Sequence, residues 1–420
     1  MQVRRFFVGI DVSRDTLDVT VLEENEKTVH PSSSYENNPA GWAQLVGTLD
    51  SLASGTGVVQ CAMESTGRYH EGVAQHLRGH NRIAKTVVLN PLAVKRFGQA
   101  MLKDTKTDKA DSRQIALYLI RMKPEPTFHP EPELQTLQEA TRRRRRLVED
   151  RSSEKNRLHA SLHRHYPGYQ KHLGKRLNLS LLTVLSEMQS PGAIVEYSAD
   201  KLARISTAKN HTVGKKLAEK ITAAAQQAPV QTLAPATELI IRTSAQRILD
   251  LDKLIKTFDS CIKPIVRKMP FGKLLLSMPG LGPVTVATVL SEVGDIRHFP
   301  TADKFVGYCG LYPVVWESGQ AKRSYSMSRK GNRWLKTALL VVTGAAGRFN
   351  PILKRFRERL LQRGKSKKAV GGAMAAKLAR IIWAMMTKNQ FWSDTIAQSG
   401  LKKADSMLAS GEQQAPAAAV

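Results

Sequence analysis

The stretch that decides the fold is Phe6-Phe7-Val8-Gly9-Ile10-Asp11-Val12, a short apolar run that is rich in β-favouring residues and has an acid near its end. Leu17–Leu22 alternates like a second strand, and Lys27–His30 is the candidate for a third. Gly57–Met63 and Lys85–Leu89 have the pattern of two further strands, each followed by a helical segment. Three strands in meander spacing, then alternating helices and strands, predict an α/β domain with a mixed sheet.

Four acids stand at informative places in this domain. Asp11 ends the first strand and Glu64 ends the fourth, while the segment that follows Lys106-Thr107 has the apolar spacing of a helix. On that helix Asp108 and Asp111 are three residues apart and share a face. Such a pair is tolerated at a helix start, where Thr107 or Asp108 would act as the cap, or around a hard cation. The residues alone leave both interpretations open.

Acids at strand ends and on a covering helix can converge on one edge of a sheet. Four carboxylates suit two Mg²⁺ ions about 3.5–4 Å apart, the arrangement that activates a nucleophile in phosphoryl transfer. Taken singly, each acid is more ordinarily a cap, a turn residue or a surface residue. The metal site is therefore a hypothesis about the set, not about any one member.

The positive charge of the chain is unevenly distributed. The formal net charge is +28, yet residues 1 to 126 hold 16 Lys/Arg and 14 Asp/Glu, a net charge of +2. The remainder holds 48 basic and 22 acidic residues, a net charge of +26. This division predicts a near-neutral N-terminal module joined to a body that binds polyanions. A membrane-surface role is less favoured, because the basic residues are spread over several segments.

Cysteine usage and hydropathy narrow the class of protein further. Cys61, Cys261 and Cys309 are far apart and have no Cys-x-x-Cys spacing, so neither a disulfide framework nor a structural zinc site is expected. No uninterrupted apolar run approaches membrane-spanning length, and the start has no cleavage-site pattern. We therefore expect a cytoplasmic protein without a membrane association.

The middle of the chain is predicted to be helical. Four prolines in Lys123–Pro132 indicate a boundary, and a long polar helix is expected from Glu133 to about His165. The arginine run Arg142–Arg146 on that helix either contacts phosphates or is a solvated face. Ile248–Ile265 carries an apolar heptad stripe that predicts a coiled-coil-like arm, with simple core packing as the alternative. Pro264 is predicted to end or kink that helix.

The C-terminal region combines a glycine-rich turn with basic and apolar helices. Leu276–Ala287 resembles the turn and second helix of a helix-hairpin-helix, in which glycines let the backbone approach a phosphate. An ordinary Gly/Pro turn before a buried helix is the alternative. A basic helix is expected from Asn332 to about Phe349 and an apolar helix from about Ala369 to Met386. The Gln/Ala/Pro-rich end from Ser410 is expected to be disordered.

Three motifs in order resemble a known family. Gly9-Ile10-Asp11-Val12, Met63-Glu64-Ser65-Thr66-Gly67 and Lys106-Thr107-Asp108-Lys109-Ala110-Asp111 look like the DEDD motifs of insertion-sequence transposases, which include the bridge-RNA-guided recombinases and the related pilin-gene invertases. The resemblance covers roughly residues 5 to 122 and 270 to 390. It implies that Asp11, Glu64, Asp108 and Asp111 are catalytic and hold Mg²⁺.

The resemblance also implies a domain organisation. It assigns residues 1–122 to a RuvC-like domain with an RNase H fold and residues 123–132 to a linker. Residues 133–268 would form the helical, coiled-coil middle, and residues 269–395 a mainly α transposase domain, with 396–420 as a tail.

The family's second feature is a serine nucleophile in a Ser-Gly pair shortly after a Gly-Leu-x-Pro turn. The segment Gly310–Gly319 fits this pattern and points to Ser318. Ser326 and Ser328 are reserves, because the segment around them resembles the family's Ser-Lys-x-Gly motif with Arg329 where lysine is usual. From the residues alone a Ser-Gly pair is most often a plain turn; as a nucleophile it would need nearby cations such as Lys322, Arg323 or Arg329.

The function that the resemblance implies is site-specific DNA recombination or transposition through a covalent protein–DNA intermediate. A structured RNA is expected to guide the choice of target and donor, and a homo-oligomer, dimer or tetramer, is expected because recombining two duplexes requires several cuts. Three alternatives remain: a Holliday-junction resolvase that uses the same acids, a DNA invertase without an RNA guide, and a non-catalytic nucleic-acid-binding protein.

Overall fold

A computed structural model describes residues 4–54, 57–65, 67–101, 108–125, 132–208, 211–316 and 324–393. For residues 108–110, 208, 315–316 and 324–326 the description covers the backbone only. The chain divides into two compact units, Met1–His129 and Pro130–Val420. The proline-rich boundary segment 126–131 and the tail from residue 394 lie outside the described residues.

The first unit is a mixed sheet with helices. Its elements are β1 (Arg5–Val12), β2 (Thr16–Glu23), β3 (Thr28–Glu36), α1 (Pro39–Leu52), β4 (Val58–Glu64), α2 (His70–Arg78), β5 (Ile83–Leu89), α3 (Pro91–Ala100) and α4 (Asp108–Met122). The strand order is β3-β2-β1-β4-β5, in which β1 pairs antiparallel with β2 and parallel with β4. The predicted mixed α/β sheet is confirmed, and its order and directions are consistent with an RNase H-like domain.

Strand β1 lies in the middle of this sheet, and its side chains alternate between two cores. Val8 and Ile10 are fully buried in a cluster that contains residues of α1 and α2. Phe7 points to the other face, where Ile115 and Leu119 of α4 pack. Both faces of the sheet are therefore covered by helices, which explains why the fold-deciding stretch is almost continuously apolar.

The second unit is mainly helical. Its elements are α5 (Pro132–His165), α6 (Tyr169–Leu173), α7 (Leu179–Glu187), α8 (Pro191–Tyr197), α9 (Ala199–Ala203), β6 (Ser206–Ala208), β7 (His211–Thr212), α10 (Lys215–Gln226), α11 (Pro235–Lys268), α12 (Pro270–Leu276), α13 (Pro283–Val293), a 3₁₀ turn (Ile296–His298), α14 (Ala302–Tyr308), β8 (Pro313–Trp316), β9 (Ser324–Met327), α15 (Arg333–Phe349), α16 (Pro351–Gln362) and α17 (Lys367–Lys388). The predicted helix from Glu133 to His165 corresponds to α5, and the basic and apolar helices correspond to α15 and α17.

The two longest helices, α5 and α11, have 34 residues each and pack against each other. Leu251 and Ile255 of the heptad stripe form a small core with Leu147 of α5. Ion pairs join Arg144 to Asp259 and Arg151 to Asp252 beside that core. The heptad stripe is thus the surface of α11 that contacts α5. Coiled-coil geometry in this helix pair stays a prediction.

Helix α11 runs to Lys268 with Pro264 inside it, so of the two predicted outcomes an end at this proline is wrong, and a kink stays a prediction. Packing of the residues around it, Ile262 and Val266, explains the difference. Both are fully buried in the core formed by α12 to α17. Burial of this kind offsets the roughly 3 kcal/mol that a proline costs inside a helix.

Helix α17 is the one helix in the described part of the chain that is long and apolar enough to cross a membrane. Most of its apolar stretch is buried inside the second unit, where Leu378, Ile381 and Ile382 are fully enclosed. It therefore has the surroundings of a core helix.

Candidate functional site

Two of the four predicted acids lie side by side at one end of the sheet. Ile10 of β1 is the register partner of Met63 in the parallel strand β4. The next residue on each strand is an acid, Asp11 on β1 and Glu64 on β4, and Glu64 is the last residue of its strand. The parallel pairing therefore brings two carboxylates to the same edge, as the sequence predicts.

Helix α4 brings the third acid, and Gly9 allows its close approach. A Cβ atom at Gly9 would lie 2.0 Å from the carbonyl oxygen of Ser112 and 2.5 Å from the nitrogen of Ala116. The backbone of α4 thus packs directly against β1 where any side chain would block it. The buried hydroxyls of Ser112 and Thr20 are also 2.8 Å apart, which fixes the helix against β2. Asp111 precedes Ser112 and lies next to this contact.

The electrostatics of Glu64 show that the three acids are close enough to interact. Burial, and after it the negative charges of Asp11 and Asp111, together raise the pKa of this half-buried carboxyl from its ordinary 4.5 to about 7. Like charges held together in this way store repulsion that a bound cation would relieve. Carboxylate oxygens are also the donors that Mg²⁺ prefers, so these residues are of the chemical type that binds a divalent metal ion.

The fourth acid, Asp108, is the first residue of α4 and lies one helical turn before Asp111. Only its backbone is described, and the expected capping residue Thr107 lies outside the described residues. Among the side chains that the structure does describe, no three acids, histidines or cysteines are near enough together to hold a metal ion. Asp11, Glu64 and Asp111 therefore form an interacting group whose metal-bound geometry stays a prediction.

The candidate nucleophile Ser318, with Lys322 and Arg323, lies outside the described residues. The strands that flank its segment, β8 and β9, are paired, with Trp316 opposite Ser324. Gly310, just before β8, has φ +66° and packs against the backbone just after β9. A Cβ atom at Gly310 would lie 2.2 Å from the carbonyl oxygen of Lys330. The residues on either side of the segment that carries Ser318 are therefore held next to each other by strand pairing.

Of the two reserve serines, Ser326 lies on β9 opposite Val314, with only its backbone described. Ser328 is buried, and its hydroxyl accepts a hydrogen bond from the Lys330 N–H at 3.1 Å. Its own N–H donates to the Tyr312 carbonyl at 3.0 Å, and the Lys336 ammonium donates to its carbonyl oxygen. These bonds give Ser328 a structural role in the turn.

A buried acid that the sequence did not single out, Glu292 on α13, holds the first arginine of the run in place. Arg142 donates to both of its carboxylate oxygens, at 2.6 and 2.8 Å, and Asn332 donates to it at 2.7 Å. Asn332 in turn caps α15 by accepting from the N–H groups of Trp334 and Leu335. The signal in the sequence was Glu292 itself, because an acid within the apolar sequence of α13 is buried and needs a basic partner.

The arginine run itself is divided between two kinds of contact. Arg142, Arg144 and Arg145 each form an ion pair, with Glu292, Asp259 and Glu149 respectively. Arg146 instead lies over the ring of Trp334. The sequence suggested either phosphate contacts or a solvated face. The structure shows a third role, because Arg142 and Arg144 hold α5 against α13 and α11.

In the glycine-rich turn before α13, one glycine favours an ordinary Gly/Pro turn over a phosphate-binding turn. Gly280 has φ +92°, and a Cβ on it would lie 2.6 Å from the Cα of Ala346. Its conformation therefore serves the packing of the turn against α15. Gly282 has open space around it, and α13 beyond is largely buried.

Two family models match the chain. One, described as a transposase, matches residues 8–167, and the other, described as a transposase of the IS116/IS110/IS902 family, matches residues 272–358. The first match contains Asp11, Glu64, Asp108 and Asp111, and the second contains Ser318.

Curated relatives match the chain along most of its length. An uncharacterized 43.6 kDa protein of insertion element IS110 from Streptomyces coelicolor is 25% identical over 92% of this chain and 95% of its own length. A pilin gene-inverting protein from Moraxella bovis is 23% identical over 91% and 96%, respectively. The transposase for insertion sequence element IS1111A from Coxiella burnetii is 22% identical over 91% and 90%. The chain therefore belongs to the IS116/IS110/IS902 family of transposases, enzymes that act on DNA.

Proposed function

We propose that this transposase cuts and rejoins DNA with a metal site formed by Asp11, Glu64, Asp108 and Asp111 and with Ser318 as its nucleophile. The observation that supports the metal site best is the raised pKa of Glu64, which Asp11 and Asp111 help to raise. Three acids from β1, β4 and α4 influence one another only if they share one edge of the sheet. A capped helix start would need neither Asp11 nor Glu64 nearby.

The metal is proposed to be Mg²⁺, since transposases with DEDD motifs typically use a divalent ion. When bound, it would stabilise the negative charge that develops on the phosphate and the leaving oxygen. The part played by this chain is to hold the ion. Asp11 and Glu64 would be its ligands from the sheet, and Asp108 and Asp111 its ligands from the first turn of α4.

Ser318 is proposed to attack a DNA phosphorus through its hydroxyl oxygen. The new bond joins serine to phosphorus, one bridging phosphorus–oxygen bond of the strand breaks, and the leaving oxygen is released as a deoxyribose hydroxyl. Attack by a hydroxyl of another strand on the serine phosphodiester restores the serine and joins the strands. Each step replaces one phosphodiester bond with another, so the exchange requires no external energy source.

The test uses three variants of the full chain. Asp11→Asn and Ser318→Ala are each expected to abolish strand exchange while DNA binding survives. Asp18→Asn is the matched control, because Asp18 is the register partner of Asp11 on β2 but is not in the proposed site. Strand cleavage that persists in Ser318→Ala would overturn the nucleophile and favour a hydrolase of the resolvase type.

We further propose a structured guide RNA and a homo-oligomeric assembly. The excess of 26 positive charges after residue 126 supports binding of a second polyanion besides DNA. The several strand cuts that each exchange requires support an assembly of more than one subunit.

If protein freed of RNA still recombines DNA with full site choice, the guide RNA is excluded. That result would favour an invertase without RNA, the activity for which the Moraxella relative is named. Sedimentation that shows only monomers on DNA would exclude the assembly.

A further inference from the structure

A cavity of about 240 Å³ lies inside the second unit, where α5, α13 and α15 meet. On α15 its wall is formed by Trp334, Ala338 and Val341, which are spaced to share one helix face. Val341 is 66% exposed, so the cavity reaches the surface. All the residues that line it belong to this unit.

The polar wall of the cavity comes from arginines whose charges are already compensated. Arg142, Arg144 and Arg145 line it, and each is paired with a carboxylate, those of Glu292, Asp259 and Glu149. Their guanidinium groups are held in place by these pairs. A free phosphate therefore finds little uncompensated charge inside. A planar group with apolar faces and hydrogen-bonding edges fits the mixed apolar and polar lining better.

The rim has a different character. Trp334 is half-buried, and the guanidinium carbons of Arg146 and Arg333 lie 5.6 and 4.5 Å from its ring centroid. Both arginines are exposed, and neither forms an ion pair with any acid in the described ranges. The entrance thus offers two exposed cations beside an aromatic ring, over which Arg142 also lies. This arrangement attracts a phosphate backbone, and a base stacks on the ring where the exposed Arg333 turns from the ring to a phosphate.

Buried contacts fix this entrance in advance. The Glu292 carboxylate binds Arg142 and Asn332, and Asn332 caps the helix on which Trp334 is the second residue. Tyr308 adds a hydrogen bond to the Glu292 carbonyl at 3.0 Å. The aromatic wall and the arginine wall are therefore held by the same acid, and a ligand need not order them on binding.

We propose that this cavity takes one unstacked nucleobase of the bound nucleic acid, with its flanking phosphates on Arg146 and Arg333. The proposal rests on the proposed function only in that the ligand is nucleic acid, and it involves no chemical step. It assigns to the second unit a site that recognises an unpaired nucleotide, whether in DNA or in RNA.

The test measures binding alone, in the full chain carrying Asp11→Asn so that no cleavage interferes. Fluorescence anisotropy compares a fully paired duplex of about 20 base pairs with the same duplex containing one unpaired adenosine, in a DNA arm and an RNA arm. Stacking on an aromatic side chain predicts a preference of about tenfold for the unpaired form in at least one arm. The arm that shows it identifies the nucleic acid that supplies the base.

Two variants then locate the preference. Trp334→Leu removes the ring, and Ala338→Phe fills the cavity without removing a ring or a charge; both are expected to reduce the preference to about one. Lys365→Ala, on the exposed segment between α16 and α17, is the control, since it should weaken binding to both duplexes equally. Equal binding of the paired and unpaired probes by the parent protein, or a preference that survives Ala338→Phe, would overturn the proposal. Failure of strand exchange in other assays would leave this result unaffected.

Discussion

Gly9 is the residue on which the position of α4, and hence of Asp111, most directly depends. Gly9→Ala would place a methyl group 2.0 Å from one backbone atom of α4 and 2.5 Å from another, so helix or strand must shift. We expect a loss of about 2–3 kcal/mol in unfolding free energy and faster hydrogen exchange in β1 and α4. Gly47→Ala in α1 is the matched control, because nothing lies within 4 Å of its added methyl group. It should stabilise the protein by about 0.5–1 kcal/mol. Equal effects of the two changes would contradict the close contact.

Glu64 gives the first unit a pH dependence when metal is absent. Its folded-state pKa is about 7, against an ordinary 4.5, so the folded chain binds the proton more tightly between these values. Stability should therefore fall as pH rises from about 4.5 to 7, with the full cost present above 7. In EDTA at pH 8, Glu64→Gln should be more stable than the parent by roughly 1–2 kcal/mol, a figure reduced for partial exposure.

The same variant tests the metal. Thermal unfolding with and without Mg²⁺ should show a larger rise in midpoint for the parent protein than for Glu64→Gln, because the ion removes the repulsion only where the carboxylate is present. The advantage of Glu64→Gln in EDTA should disappear near pH 4, below both pKa values. A difference that stays constant from pH 4 to 8 would show that the carboxyl is not perturbed.

At this scale the sequence identifies the acids but not how they are brought together. Asp11 and Glu64 are predictable as neighbours because parallel strands end at one edge. The approach of α4 depends on a missing side chain at Gly9, and one glycine in an apolar strand has no distinctive pattern. Glu292 was missed because the partners of its carboxylate, Arg142 and Asn332, are 150 and 40 residues away along the chain.

At the scale of elements, the contact between α5 and α13 depends on the Glu292 carboxylate. Its side chain is only 1% exposed, so Arg142→Ala would leave a buried charge without its main partner. We expect a cost of about 3–5 kcal/mol, seen as loss of hydrogen-exchange protection in α13 and the first turns of α15. Arg145→Ala is the control, because its pair with Glu149 is partly exposed and should contribute less than about 1 kcal/mol. Comparable losses in both variants would contradict the role of Glu292.

Element boundaries in the second unit were predictable where the periodicity is strong. The extent of α17 follows from its apolar composition, whereas those of α5 and α15 follow from the residues that flank them and from long polar or basic sequences. The continuation of α11 through Pro264 was not predictable, because local propensity opposes it and only the burial of Ile262 and Val266 supports it. The small helices α6 to α10 gave no clear signal, since their stability comes from packing on one another and on α5 and α11.

At the scale of the whole molecule, the charge division predicts which unit carries nucleic-acid affinity. Lys365, Lys367 and Lys368 are exposed on one short segment of the second unit. Replacing all three with alanine should lower DNA affinity and make the slope of log K against log salt less steep by about 2–3. Lys27→Ala, exposed in the first unit, should leave the slope unchanged. If Lys27→Ala makes the slope less steep by about one third of the change seen in the triple variant, the DNA affinity is not confined to the basic unit.

A serine of the second unit is proposed to become bonded to DNA during strand exchange. The direct measurement is to denature the protein during the reaction with DNA, digest it with protease and nuclease, and locate any nucleotide-bearing peptide by mass spectrometry. We predict a nucleotide on Ser318 in the parent protein, and none in Ser318→Ala or Asp11→Asn. Efficient strand exchange with no nucleotide-bearing peptide, or with the nucleotide on another residue such as Ser326, would contradict it.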